Sequence, residues 1–172
     1  MLQFVSRGEK MTSKKEISFE NIAQDIIYKS KYKELKNISH HGLNRYIHIM
    51  RVSKYTYKIS KFLKLDYISA TRAALLHDYF TESSNNKKVF ANHAHIASNN
   101  AIKDYGLNKK EQNAIESHMF PLGKTLPKYR ESWVLTLVDK TVAIYEMSRF
   151  KLSGALHLYS IFFINMLLFG QK

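Results

Sequence analysis

The chain has 172 residues, with 27 Lys and Arg against 14 Asp and Glu, a formal charge of +13, and no cysteine. That length fits one domain able to bury roughly two thirds of its unfolded-chain surface without cross-links. The missing thiol excludes disulfides, iron–sulfur clusters and thiolate zinc sites and leaves imidazole and carboxylate as metal ligands, a set that suits Fe, Mn, Ni, Zn or Mg, while the positive balance favours phosphorylated ligands, nucleic acid or an anionic surface.

Residues 1–16 are polar and unpatterned and are expected to form a mobile leader. Arg7, Glu9 and Lys10 interrupt any secretion-signal core, so a cytoplasmic location is expected. From Ile17 to Leu35, the spacing of Ile22, Ile26 and Ile27 predicts a first helix. Leu43 to Leu63 repeats the pattern, with His48, Val52, Tyr55, Ile59 and Phe62 stepping by four, three, four and three and so sharing one inward face. Asp66 is a helix cap for a run through Leu75 and Leu76, and residues 81–90 (TESSNNKKVF) read as a loop. A helix from Asn92 to Tyr105 stops at Gly106, and Asn108 with Glu111 forms a capping box opening a helix to about Met119. Pro121 and Pro127 bracket an irregular stretch before a long helix that starts near Glu131 and passes through Asp139 toward Glu146.

No run of strand alternation competes with these helices, so the expected fold is all-α: a single-domain bundle over residues 17–150, then an apolar C-terminal helix over 151–172. Leu152 to Phe169 holds no Asp, Glu, Lys or Arg, but Ser153, Gly154, His157, Ser160 and Asn165 would be penalised in a bilayer. The segment is expected to pack on the domain or on a partner, a homodimer contact included, rather than to span a membrane; peripheral attachment is the alternative.

Several polar residues fall on the inward faces of these helices. His77 continues the face of Ala70, Ala73 and Ala74, with Asp78 about 100° further round. His93 leads Ile96, Ala97 and Ala101; His118 follows Ile115; Asp139 lies between Leu135 and Val142. An imidazole or carboxylate among apolar neighbours costs several kcal/mol unless it is paired or bound to a metal. One such histidine is more often a hydrogen-bonded core residue. Their conjunction with His48 points instead to a buried metal centre.

The segments HIMRVS around His48, ALLHDYF with His77 and Asp78, and LTLVDK with Asp139 resemble the H…HD…D signature of the HD-domain superfamily of metal-dependent phosphohydrolases, over roughly residues 40–146. NHAHIASNNA and IESHMFPL resemble the additional histidines of dinuclear members, with His93 rather than His95 aligned to the inserted histidine, and PKYRESWVLTLVDK is similar to a bacterial HD-domain subgroup more than to any named enzyme. The resemblance implies an HD-type bundle in which His48, His77, Asp78 and Asp139 hold one divalent ion. It further implies that His93 and His118 hold a second, with Asp78 as bridging and catalytic carboxylate and the ions about 3.5–4 Å apart around a shared hydroxide. The implied reaction is hydrolysis of a phosphate mono- or diester of a small metabolite or nucleotide.

Arg45, Arg51, Lys140 and Lys124 are the candidate phosphate-binding cations, the other reading of each being a solvated basic face. His40 and His41 precede the first ligand helix and are expected near the mouth, not as ligands. After His77-Asp78 the chain lacks the glycine, the lysine and the GYP motif of the cyclic-di-guanylate-degrading branch. Two further readings stay open: a metal-free HD module that binds a nucleotide without turnover, and a nuclease or phosphodiesterase acting on single-stranded nucleic acid. For the latter, YTYK at 55–58 and PKYR at 127–130 would interleave aromatic with basic side chains.

Overall fold

The computed structural model describes residues 16–40, 43–81 and 87–169, so all of the expected leader except its last residue lies outside it. The fold is all-α. The first apolar segment forms three short pieces rather than one helix: α1 (Phe19–Ile27), α2 (Ser30–Lys33) and a 3-10 turn over Glu34–Asn37. Ser18 caps α1 by accepting the Asn21 N–H at 3.2 Å. The bend after Ile27 then turns Tyr32 and Leu35 fully into the core. A two-residue antiparallel pair, Ser39–His40 with Leu43–Asn44, leads into α3 (Arg45–Phe62), which Asn44 caps through the Ile47 N–H at 2.9 Å.

Asp66 caps α4 (Tyr67–Leu76) as expected, accepting the Ser69 N–H at 3.1 Å. α4 is the central helix, with Ser69, Ala70, Thr71, Ala73, Ala74, Leu75 and Leu76 all buried. Its run of small side chains is what lets α1, α3, α6 and α7 all approach it. α5 (Lys87–Tyr105) begins five residues before the expected start at Asn92, within the segment read as a loop, and ends where Gly106 takes a φ of +62°. α6 (Lys109–Ser117) opens on the expected capping box: the Asn108 side chain accepts the Glu111 N–H and Glu111 accepts the Asn108 N–H.

α7 (Arg130–Phe169) is 40 residues long, about 60 Å at 1.5 Å per residue. It runs unbroken through residues 150 and 151, the expected boundary between bundle and tail. The side chains past Leu152 that would decide how the tail packs lie outside the described residues. Among the described residues, no helix is long and apolar enough to cross a membrane.

The inward face of α3 differs from expectation. His48 and Val52 are buried, but Tyr55, Ile59 and Phe62 are exposed, Phe62 by 84%. The buried face runs instead through Arg45, His48, Ile49, Val52, Ser53, Thr56 and Ser60. Toward its C-terminal half the buried face of α3 is made of the small hydroxyl residues Ser53, Thr56 and Ser60, and the bulky side chains lie on the flank. There Tyr55 and Ile59 join Leu137, Val138 and Val142 of α7 around a cavity of about 430 Å³.

An aromatic and polar network fixes the end of α4. The Tyr32 hydroxyl donates to the Leu75 carbonyl at 2.8 Å, and the Tyr32 ring stacks on Tyr79 at 6.0 Å. The Tyr79 hydroxyl donates to Asp104 of α5 at 2.9 Å, and Asn100 donates to the Tyr79 carbonyl. His77 and Asp78 are thus held between α2, α4 and α5.

Candidate metal centre

His77 is the C-cap of α4 and His118 the C-cap of α6. The last carbonyls of a helix are short of intrahelical donors, and each of these rings bonds to one near its helix end: His77 Nδ1 lies 2.7 Å from the Ala74 carbonyl and His118 Nδ1 2.7 Å from the Ile115 carbonyl, which the His118 main-chain N–H also reaches at 3.4 Å. A carbonyl only accepts, so Nδ1 carries the hydrogen in both rings, and in the neutral form Nε2 presents a lone pair. His48 comes from the middle of α3, His93 from α5 and Asp139 from α7.

These donors converge into two groups, His48 with His77 and Asp139, and Asp78 with His93 and His118; within each, one ligand atom per residue lies within 4.8 Å of the others. All six residues are buried, the most accessible being Asp139 at 8% and His93 at 6%. His48 Nε2 is 3.1 Å from Asp139 Oδ1, and His77 Nε2 is 3.4 Å from the same oxygen. Asp78 faces both groups: Oδ2 lies 4.0 Å from His77 Nε2, while Oδ1 lies 3.5 Å from His93 Nε2 and 3.8 Å from His118 Nε2. His77 and Asp78, expected to grip one ion together, therefore divide between the two groups. Both lie just past the end of α4 at Leu76, and Asp78 keeps one oxygen toward His77.

The electrostatics follow from the carboxylates. Burial would lower the His48 pKa, but hydrogen bonds to Asp139 and Glu146 push it up to about 10. Burial likewise opposes a charge on His77, which the neighbouring Asp78 and then Asp139 nevertheless raise. His118 is pushed down to about 4 by burial and by the neighbouring His77. Burial would raise Asp139, yet hydrogen bonds from His48 and His77 hold it well below the usual carboxylate range.

Two observations fit this cluster to a cation. His77 Nε2 is buried with no well-formed hydrogen bond, its nearest polar neighbour being Asp139 Oδ1 at 3.4 Å. His118 Nε2 and His93 Nε2 meet at 3.0 Å, where two imidazole nitrogens share either the hydrogen of a neutral His93 ring or one ion. Nitrogen and carboxylate donors without sulfur suit Fe, Mn, Ni, Zn or Mg.

The expected phosphate-binding cations separate. Arg45 is fully enclosed: its guanidinium lies 3.6 Å over the Phe80 ring and donates to the Phe80 carbonyl, so it faces the core rather than the mouth. Lys140 is half-buried beside Asp139, donates to the His118 carbonyl at 2.9 Å, and has its pKa lowered by burial. Arg51 pairs with Glu146. Lys124 is exposed in the loop after α6, with no contact among the described residues that ties it to the cluster. His95 is exposed on α5 while His93 is in the cluster, which separates the two histidines. The His40 and His41 side chains lie outside the described residues.

Glu146 is the residue that sequence reasoning missed. Its side chain is fully enclosed, one oxygen 2.8 Å from His48 Nδ1 and the other accepting from Arg51. The available signal was its spacing: seven residues after Asp139 is two helical turns, hence the same face of α7.

An all-α bundle that gathers six buried imidazole and carboxylate donors at helix ends and inner faces has the build of a divalent-metal protein. The family model of the HD domain matches residues 45–144, more than half of the chain, and the chain belongs to that family, whose members are in general metal-dependent hydrolases. No curated protein and no solved structure was found to match it.

Proposed function

We propose that the chain is a metal-dependent phosphohydrolase that hydrolyses a phosphate mono- or diester of a small metabolite or nucleotide. The observation that carries this reading is the meeting of two three-donor groups across Asp78, whose two oxygens face opposite groups. In it, His48, His77 and Asp139 would hold one divalent ion and Asp78, His93 and His118 a second. Such ions supply Lewis-acid stabilisation of phosphoryl oxygens and a bound water of lowered pKa.

The chain's own residues contribute orientation and charge. The Ala74 and Ile115 carbonyls fix the His77 and His118 rings with Nε2 toward the centre. Lys140, half-buried next to Asp139 and bonded to the His118 carbonyl, is the cation best situated to receive a phosphoryl oxygen. In the net reaction a water oxygen attacks phosphorus, the ester P–O bond breaks, and the alcohol leaves with a proton.

The test is elemental analysis of wild type and Asp78→Ala purified without chelators, followed by phosphate release from a panel of phosphate esters, nucleotides and short single-stranded oligonucleotides. Roughly one or two metal equivalents in the wild type, fewer in the variant, and metal-dependent phosphate release from a small ester are expected. A wild type that takes up no Fe, Mn, Ni, Zn or Mg on reconstitution overturns the proposal. Turnover confined to oligonucleotides, with the steep salt dependence of phosphate contacts, would assign the centre to a nuclease instead.

A further inference from the structure

A histidine that ligates an ion through Nε2 must be held by its other ring nitrogen. His77 and His118 rest on main-chain carbonyls of their own helices, but His48 rests on a carboxylate from another helix, Glu146 of α7. That carboxylate is committed at both ends, with Oε2 at 2.8 Å from His48 Nδ1 and Oε1 accepting from Arg51 of α3. Its side chain is 0% exposed. Enclosing an ionised carboxylate is costly and weak as a source of stability. Two turns apart on one face of α7, Asp139 and Glu146 bracket the His48 ring, one at each nitrogen.

We propose that Glu146 is a positioning residue: anchored by Arg51, it fixes the His48 ring with Nε2 aimed at Asp139 and His77 and thereby sets the metal affinity of that half of the centre. The inference rests on the metal-centre reading above and adds to it a residue outside the donor groups. It also separates the two halves, because Glu146 touches no member of the Asp78–His93–His118 group among the described contacts. A purely structural role, a buried ion pair joining α3 to α7, would affect both halves alike.

The test is Mn²⁺ binding by isothermal titration calorimetry to wild type, Glu146→Gln and His93→Ala, with histidine ring ¹⁵N spectra of the metal-free proteins. Glutamine keeps the shape, but its single oxygen cannot serve both His48 and Arg51. In Glu146→Gln, Mn²⁺ affinity at the His48–His77–Asp139 group should fall about 10–100-fold. The ion lost in His93→Ala, the other one, should bind as in wild type, and the His48 ring signals should move while those of His77 and His118 stay. Arg51→Met, which leaves both carboxylates intact, should give a smaller fall at the same group and carries the test if Glu146→Gln does not fold. Unchanged Mn²⁺ binding in Glu146→Gln, or an equal loss of both ions with a lower melting temperature of the metal-free protein, overturns the positioning role and leaves the metal centre standing. A wild type that binds no Mn²⁺ overturns the inference together with the centre it rests on.

Discussion

Arg45 opens α3 with its guanidinium 3.6 Å above the Phe80 ring, two residues beyond Asp78, and the Phe80 ring is in turn 5.5 Å from that of His93. A planar, delocalised cation can stack and donate in this way, whereas a lysine ammonium is a compact, strongly hydrated charge. Arg45→Lys should therefore lower stability by about 1–3 kcal/mol, the range for a disturbed buried polar contact, seen as a lower urea midpoint. A variant with unchanged stability and a weakened KM for a phosphate ester would return Arg45 to the substrate-binding role. Sequence spacing put Arg45 near the first candidate ligand and could not reveal that it is sealed in, because the Phe80 ring that covers it arrives 35 residues later. The candidate ligand histidines were more legible. An imidazole at an apolar position needs a partner whatever the tertiary detail, so their inward direction could be read locally, while the split between His77 and Asp78 depended on where α4 stops.

At the scale of elements, the starts of α4 and α7 share one polar junction. Asp66 caps α4, and Glu131 in the first turn of α7 accepts the Asp66 N–H at 3.1 Å while Lys110 reaches both carboxylates at 3.3–3.5 Å. Asp66→Ala should cost about 0.5–2 kcal/mol, as for other lost caps. Burial would raise both carboxyl pKa values, but hydrogen bonds from Ser69 to Asp66 and from main-chain N–H groups to Glu131, together with Lys110, lower them. Groups lowered on folding add stability above their unfolded pKa values, roughly 3.9 and 4.3, and lose it as pH falls through the folded values. The urea midpoint of wild type should thus approach that of Asp66→Ala as pH is lowered from 6 to about 3; a constant gap would disconnect the junction from acid stability. The caps at Asp66, Asn108 and Gly106 were all legible because their chemistry is complete within four residues. The inner face of α3 was not, since Ser53, Thr56 and Ser60 carry no apolar signal yet are fully buried. The Thr56 hydroxyl makes no hydrogen bond among the described residues, so Thr56→Val, close to isosteric, should raise stability by about 1 kcal/mol in urea titrations; a loss of stability would mean that the hydroxyl is satisfied in solution.

For the whole molecule, the six candidate donors are spread from residue 48 to residue 139, on α3, α5 and α7 and just past the ends of α4 and α6. The elements that carry them pack on one another, α3 and α6 each against both α4 and α7, and α5 chiefly against α6. In the unfolded chain such donors are far apart, so an ion that needs all of one group binds the native state and draws the equilibrium toward it. The same ion would offset the carboxylates of Asp78 and Asp139, which in its absence share the interior with four imidazoles. Free metal at a hundred times its dissociation constant contributes about 2.7 kcal/mol, and for a chain of this size that corresponds to a rise in Tm of roughly 5–10 °C. Differential scanning calorimetry of chelator-treated protein before and after reconstitution with Mn²⁺ should show that rise, with most of it absent in Asp78→Ala. The dependence should be logarithmic in free metal, since each further tenfold excess adds about 1.4 kcal/mol. A Tm indifferent to metal over that range would mean that the cluster is closed by its own hydrogen bonds, and the HD fold would here be holding a satisfied polar core.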